Sequence, residues 1–185
     1  MVDELIEDGN RRMDSAIEAL RTEFNSVRTG RASTALLDRI FVDYYGVRTP
    51  LKQMANVATP DPRLLSITVF DKSAVNSVVR AIQESDLGLT PNTDGSVIRL
   101  NIPALTTERR KELVKLVGKL TEEARVAVRN VRRDVISDLK ELKKEGEISE
   151  DDEKRAEEGV QKLTDKHIEH LNTLLHHKEE EILEV

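Results

Sequence analysis

The sequence predicts an α+β protein of two domains: an elongated three-helix bundle with a small β/α/β domain inserted between its first and second helices. Three observations carry this. Apolar residues recur in steps of three and four near both ends of the chain, the period of an amphipathic helix. Between about 31 and 104 they alternate in steps of two. Four of the five prolines, Pro50, Pro60, Pro62 and Pro91, lie among those alternating segments. The bundle would be built from residues 1–30 and 105–185, and the inserted domain from residues 31–104.

In the first helix the seam is Ile6, Met13, Ile17, Leu20, Phe24 and Val27, with Asn10 as a polar interruption. It stops at Arg28-Thr29-Gly30. Within the insertion, Ile40/Val42/Tyr44, Leu65/Ile67/Val69 and Ile98/Leu100/Ile102 read as half-buried strands. A single helix is expected there, over about Ser73 to Glu84, with Val75, Val78, Val79 and Ile82 on one face. From Thr107 the helical rhythm returns through Leu113, Val117, Leu120, Ala124, Val128, Val131, Val135, Leu139 and Leu142. EGEIS at 145–149 supplies a stop, and Ser149 with Asp152 three positions later is a capping signal. The third helix then carries Ala156, Val160, Leu163, His167, Leu171, Leu174 and Ile182. Three such stripes can be covered only by one another, which makes a bundle.

The chain crosses between domains twice, at Thr29-Gly30-Arg31 and at Ile102-Pro103-Ala104. Glycine loosens one crossing and proline stiffens the other, so the pair reads either as a hinge or as ordinary turn residues in a fixed connection.

Composition bounds the function. The chain is 35% charged, only 3% aromatic and free of cysteine, which excludes disulfides and thiol catalysis and suits a reducing cytoplasm. The acidic start MVDELIEDGNRRMD does not read as a signal peptide, and no apolar run approaches membrane-spanning length. A soluble intracellular protein is expected. Its charge is polarised. Between Arg109 and Arg133 nine cations face three carboxylates, whereas from Glu145 onward fourteen carboxylates face five cations.

At 100° per residue Arg125, Arg129, Arg132 and Arg133 fall within one arc of about 100°, rotated away from the Val128, Val131 and Val135 seam. They are expected to be exposed and adjacent. Arginine forks bind phosphate oxygens in pairs and stack on bases, so the cluster reads as an RNA or phosphate site. The alternative is a solvated surface paired with the acidic third helix. Arg28 and Arg31 are also at hand near the crossings.

Other chemistry finds little support. His167 lies in the apolar seam as a packed residue, and His170, His176 and His177 lack the arrangement of a zinc site, so no metal is expected. Asp151-Asp152 are explained by a helix N-terminus rather than by acid–base work. GRAST at 30–34 lacks the lysine and second glycine of a phosphate loop. No catalytic residue and no cofactor are expected. Tyr44-Tyr45-Gly46 could stack bases, but Tyr44 is in phase with the buried side, and core packing is the reading adopted. The residues alone leave open a free-standing RNA chaperone or nucleic-acid architectural protein and a bundle-type cochaperone or scaffold.

Longer strings narrow this. SVRTGRAS (26–33), DYYGVRTPLKQ (43–53), SDLGLTPN (85–92), IPALTTERRKEL (102–113), RVAVRNVRRD (125–134) and EISEDD (147–152) together resemble the bacterial ribosome recycling factor family over essentially the whole chain. Lys72 stands where that family often has arginine. The resemblance implies an L-shaped bundle-plus-insert fold and a monomeric cytoplasmic protein that is not an enzyme. It also implies binding to the large subunit of post-termination ribosomes. With elongation factor G and GTP, such a protein splits them into subunits and frees mRNA and tRNA. Carried over residue by residue, it implies rRNA contacts at Arg28, Arg31, Arg110, Arg129, Arg132 and Arg133, and a hinge at Thr29, Gly30, Arg31, Ile102, Pro103 and Ala104.

Overall fold

Five helices and six strands follow one another in the computed structural model, which describes residues 1–184. Val185, which the sequence reading placed in the bundle, lies outside the described residues. The chain divides into two units, one of residues 1–28 and 107–184, the other of residues 29–106. The divisions fall two residues further out along the chain than the first crossing's glycine and the second crossing's alanine would have placed them.

The larger unit consists of α1 (Val2–Ser26), α4 (Thr107–Lys144) and α5 (Glu150–Leu183), every pair of which is in contact. The shared core contains Met13, Ile17, Leu20 and Phe24 from α1, Val117, Val128, Val135 and Leu139 from α4, and Val160, Leu171 and Ile182 from α5. Each such side chain, fully removed from water, contributes about 1.5–3 kcal/mol. Two buried seam positions are threonines. Thr121 takes the place expected for Leu120, and Thr164 that expected for Leu163, both leucines being half-buried. Each threonine hydroxyl donates to the carbonyl four residues back, Val117 at 2.7 Å and Val160 at 2.8 Å, so its polar atom is satisfied inside the core. Gly9, one turn before Met13, is buried against Val135 and Val131 of α4 and fills the seam position assigned to the polar interruption at Asn10.

The turn between α4 and α5 is built as the EGEIS string requires. Gly146 adopts φ +76°, and the N–H groups of Gly146 and Glu147 donate to the carbonyls of Lys143 and Leu142, closing the helix end. Ser149 then caps α5, its side chain accepting from the Asp152 N–H while the Asp152 carboxylate accepts from the Ser149 N–H. Hydrogen bonding from the Ser149 side chain first, and from its backbone N–H next, holds the Asp152 carboxyl below the usual carboxylate range.

In the inserted unit β1 (Phe41–Tyr44) pairs with β2 (Val47–Pro50) as a hairpin. A separate antiparallel sheet of β3 (Ala55–Asp61), β4 (Leu64–Val69), β5 (Pro91–Asp94) and β6 (Val97–Asn101) runs in the order β3-β4-β6-β5. The alternation read from the sequence belongs to β1, β4 and β6. The strands it missed are β2 and the two sheet edges β3 and β5, whose residues are mostly exposed and therefore carry no apolar period.

The single helix expected here is α3 (Val75–Glu84), which starts after a 3₁₀ turn at Lys72–Ala74 capped by the Asp71 side chain. It is not alone. A one-turn helix α2 (Leu51–Met54) follows Pro50 and buries Leu51 and Met54, and a second 3₁₀ turn spans Thr34–Leu37. Apolar residues three apart behind a proline suffice to seat a single turn, too short for a periodic signal. The core formed by these elements includes Leu37, Val42, Leu51, Leu65, Ile67, Val78, Ile82, Ile98 and Leu100.

Candidate nucleic-acid interface

The middle of α4 carries the arginine arc, and its four members do not behave alike. Arg129 and Arg133 are exposed, whereas Arg125 and Arg132 are half-buried, which corrects the expectation of four equally exposed forks. The reason is rotational. Arg125 and Arg132 occupy the edge of the arc nearest the Thr121 and Val128 line, where α5 packs, and Arg129 and Arg133 lie further round.

Arg125 is a structural pin. Its Nε and Nη2 both donate to Asn172 Oδ1 of α5 (3.0 and 2.7 Å), and its Nη1 bonds Glu122 at 2.9 Å. Arg129 reaches the other Glu122 oxygen at 3.2 Å. The Arg125 hydrogen bond, then that from Arg129, holds the Glu122 carboxyl below the usual carboxylate range against the opposing effect of partial desolvation. Arg132 donates through Nε to Gln161 Oε1 of α5 at 2.8 Å, and Gln161 is itself oriented by donating to Asp165 at 2.8 Å. That bond uses the inner edge of the guanidinium. Among the described residues its two terminal nitrogens make no further hydrogen bond, and Arg133 makes none at all.

These contacts bear on the two readings of the arc. None of its arginines forms an ion pair with a carboxylate of α5; their bonds to that helix go to the neutral amides of Asn172 and Gln161. Arg125 and Arg129 share the Glu122 carboxylate, whereas Arg132 and Arg133 carry no ion pair among the described residues and present un-neutralised phosphate-binding groups on a rigid helix. Sequence reasoning missed Gln161 and Asn172. Their signal was an eleven-residue spacing, three helical turns, that places both amides on one side of α5.

Arg110 is half-buried in the first turn of α4, in phase with Leu113 and Val117, and Arg28 is exposed just past the end of α1. Arg31 is half-buried on the inserted unit. The crossing residues are held more firmly than a loose glycine would suggest. Thr29 and Gly30 are buried, Gly30 has φ +74°, and a Cβ there would lie 2.9 Å from Leu105 Cγ. The Ala32 N–H donates to the Pro62 carbonyl at 2.7 Å and the Ile102 N–H to the Arg63 carbonyl at 2.8 Å. Both crossings are thus tied to the same β3–β4 turn, and Gly30 is needed for close approach and positive φ.

Tyr44 belongs to the core edge, its hydroxyl donating to Asp71 Oδ2 at 2.7 Å, whereas Tyr45 is exposed in the left-handed region at φ +50°. The Asp71 bond pushes the Tyr44 hydroxyl up. His167 is buried as a packed residue, donating from Nδ1 to the Leu163 carbonyl (2.7 Å) with Nε2 at Asp14 Oδ1 (2.8 Å), which links α5 to α1. The described residues contain no group of three or more acidic, histidine or cysteine side chains placed to hold a metal, and no helix among them is long and apolar enough to cross a membrane.

Fold and face together define the class: a three-helix-bundle protein with an inserted β/α unit, presenting an arginine edge on its second bundle helix. The family profile described as ribosome recycling factor matches residues 20–183. The ribosome-recycling factor of Halalkalibacterium halodurans is 55% identical over 185 residues, covering all of both chains. That of Thermosynechococcus vestitus is 55% identical over 178 residues, 96% of this chain and 98% of the relative. A solution structure of the ribosome recycling factor superposes with a TM-score of 0.79 at 45% identity, over 100% of this chain and 98% of that one. A second structure, the T. thermophilus factor and E. coli elongation factor G placed on the E. coli post-termination complex, gives 0.66 at 45% identity over 99% of each chain. This chain belongs to the ribosome recycling factor family, translation factors of protein biosynthesis.

Proposed function

We propose that the protein binds the large subunit of post-termination ribosomes through its arginine face. Together with elongation factor G and GTP it then splits them into subunits, releasing mRNA and tRNA. It acts as a cytoplasmic monomer without cofactor, and the GTPase supplies the energy. The anchor is rRNA held by Arg28, Arg31, Arg110, Arg129, Arg132 and Arg133. The observation that supports this reading best is Arg132: Gln161 holds its inner edge through Nε, which leaves its outer fork available to a bidentate acceptor such as phosphate. The pivot for the inserted unit is the pair of crossings, Thr29-Gly30-Arg31 and Ile102-Pro103-Ala104.

The test is light scattering of post-termination ribosomes with the protein, elongation factor G and GTP, each omitted in turn. Scattering is expected to fall only when all are present. Arg132→Ala is expected to weaken ribosome binding by about 1–3 kcal/mol, roughly 5- to 150-fold, with helicity unchanged. Undiminished binding by this variant would remove Arg132 from the anchor, and intact ribosomes with the wild-type protein under matched-species conditions would remove the recycling reading.

A further inference from the structure

The inserted unit carries a second, separate concentration of arginine. A groove of about 830 Å³ lies between the β1–β2 hairpin and α3, and Arg39, Arg48 and Arg80 line it. The strand pleat explains one wall. Ile40 and Val42 turn into the core, so Phe41 and Asp43 of β1 alternate onto the exposed face, and Arg39 is exposed in the turn just before the strand. The helical repeat explains the other, because Arg80 and Glu84 lie four apart on the side of α3 opposite its buried Val78 and Ile82.

The cations of this unit are treated differently according to where they stand. Lys52 pairs with Asp38 and Arg99 with Asp94, both outside the groove. Arg39 and Arg80 make no hydrogen bond or ion pair among the described residues. Arg48 stands opposite Asp43 in the hairpin register, yet its guanidinium lies over the Phe41 ring, 4.2 Å from the centroid. Stacked there, it keeps its N–H edge and its outer face open. Asp43 is engaged by the Gly46 N–H at 2.9 Å, and Glu84 is the only other carboxylate lining the groove. Three cations against two carboxylates leave the groove positive, on a chain whose formal net charge is −6.

We infer that this groove is a second RNA-binding site, which takes a single-stranded segment by its phosphates and stacks one base on the Arg48–Phe41 pair. All three cations are forks suited to phosphate oxygens, and the stacked guanidinium offers a flat π surface that a base uses and a carboxylate peptide does not. A duplex keeps its bases stacked inside and has none to offer. The site uses no residue of the α4 arc, so it stands or falls separately from the ribosome-anchor reading.

The experiment is a titration of the full ¹⁵N-labelled chain with a single-stranded oligoribonucleotide of about eight nucleotides, following the arginine Nε–H resonances. Arg132→Ala/Arg133→Ala serves as the background, so that binding at the α4 arc is suppressed. The Arg39, Arg48 and Arg80 resonances are expected to move saturably. Arg80→Glu is expected to weaken binding about tenfold or more and, in a salt titration, to flatten the slope of log K against log salt by roughly 0.7. Arg48→Lys, which keeps the charge but loses the fork and the stack, is expected to lower affinity with little change of slope. Stationary groove resonances while others shift would overturn the proposal. So would an oligoglutamate of equal charge that moves the same resonances at the same concentrations, which would assign the groove to acidic peptides.

Discussion

Three glycines sit inside the bundle helices, and only one has something in its way. A Cβ built on Gly9 of α1 falls 2.9 Å from Val135 Cγ2 of α4, while one on Gly118 of α4 or Gly159 of α5 meets nothing within 4 Å. Replacing any of them by alanine gains about 0.5–1 kcal/mol of helix propensity. At Gly118 and Gly159 that gain stands alone, and both variants are expected to be more stable by about that amount. At Gly9 it is opposed. Val135 is itself buried and β-branched, so its χ1 has one strongly preferred helical rotamer and cannot swing clear cheaply. Overpacking of this kind costs about 1–3 kcal/mol, so Gly9→Ala is expected to lie between neutral and about 2 kcal/mol destabilising. Urea unfolding followed by far-ultraviolet circular dichroism measures all three. Val135→Ala should restore to Gly9→Ala the propensity gain seen at Gly118. A Gly9→Ala protein as stabilised as Gly118→Ala would refute the close approach of α1 and α4 at this point.

Arg125→Ala, which breaks both bonds to Asn172, is expected to cost about 1–3 kcal/mol of bundle stability, and Asn172→Ala a similar amount. The double variant should lose little more than either, and additive losses in the same urea assay would show that the two do not act as one contact. Asp14→Ala leaves a nitrogen of the buried His167 ring unpaired and is expected to destabilise by about 1–3 kcal/mol, whereas Asp14→Asn, which keeps an acceptor, should cost less. In acid, Asp71 contributes through hydrogen bonds from Ser73 first and Tyr44 next, which hold its carboxyl below the usual carboxylate range. The unfolded chain therefore binds more protons near pH 4. The stability from this group is complete above the unfolded value of about 3.9 and is lost as pH falls through the lower folded value. Asp71→Asn should flatten that part of the inserted unit's pH profile below about pH 5, and parallel profiles would remove Asp71 from the account.

Legibility differed by element for physical reasons. The bundle helices were readable because each buries one stripe against two others, which forces apolar residues into a 3.6-residue period over many turns. Strands β1, β4 and β6 were readable because each buries one face. Edge strands β3 and β5 were not, since a backbone ladder needs no apolar side chain, and neither was the single turn of α2. Thr121 and Thr164 escaped because a hydroxyl bonded to its own helix is as acceptable in a core as a methyl group.

The sequence alone determined where the charge lies, which stretches must be helical, how α4 ends and α5 begins, and, through long ordered strings, the family. Those properties are local or cumulative along the chain, set by spacing, caps and turn residues. Which arginines are spent as pins and which are left open was decided by tertiary structure. Arg125, Arg129, Arg132 and Arg133 look alike in sequence, and only the proximity of Asn172 and Gln161 on a helix some thirty to fifty residues away separates them. The groove bearing Arg39, Arg48 and Arg80 is of the same kind, because residues from a turn, a strand and a helix become neighbours only when the hairpin and α3 pack on one core.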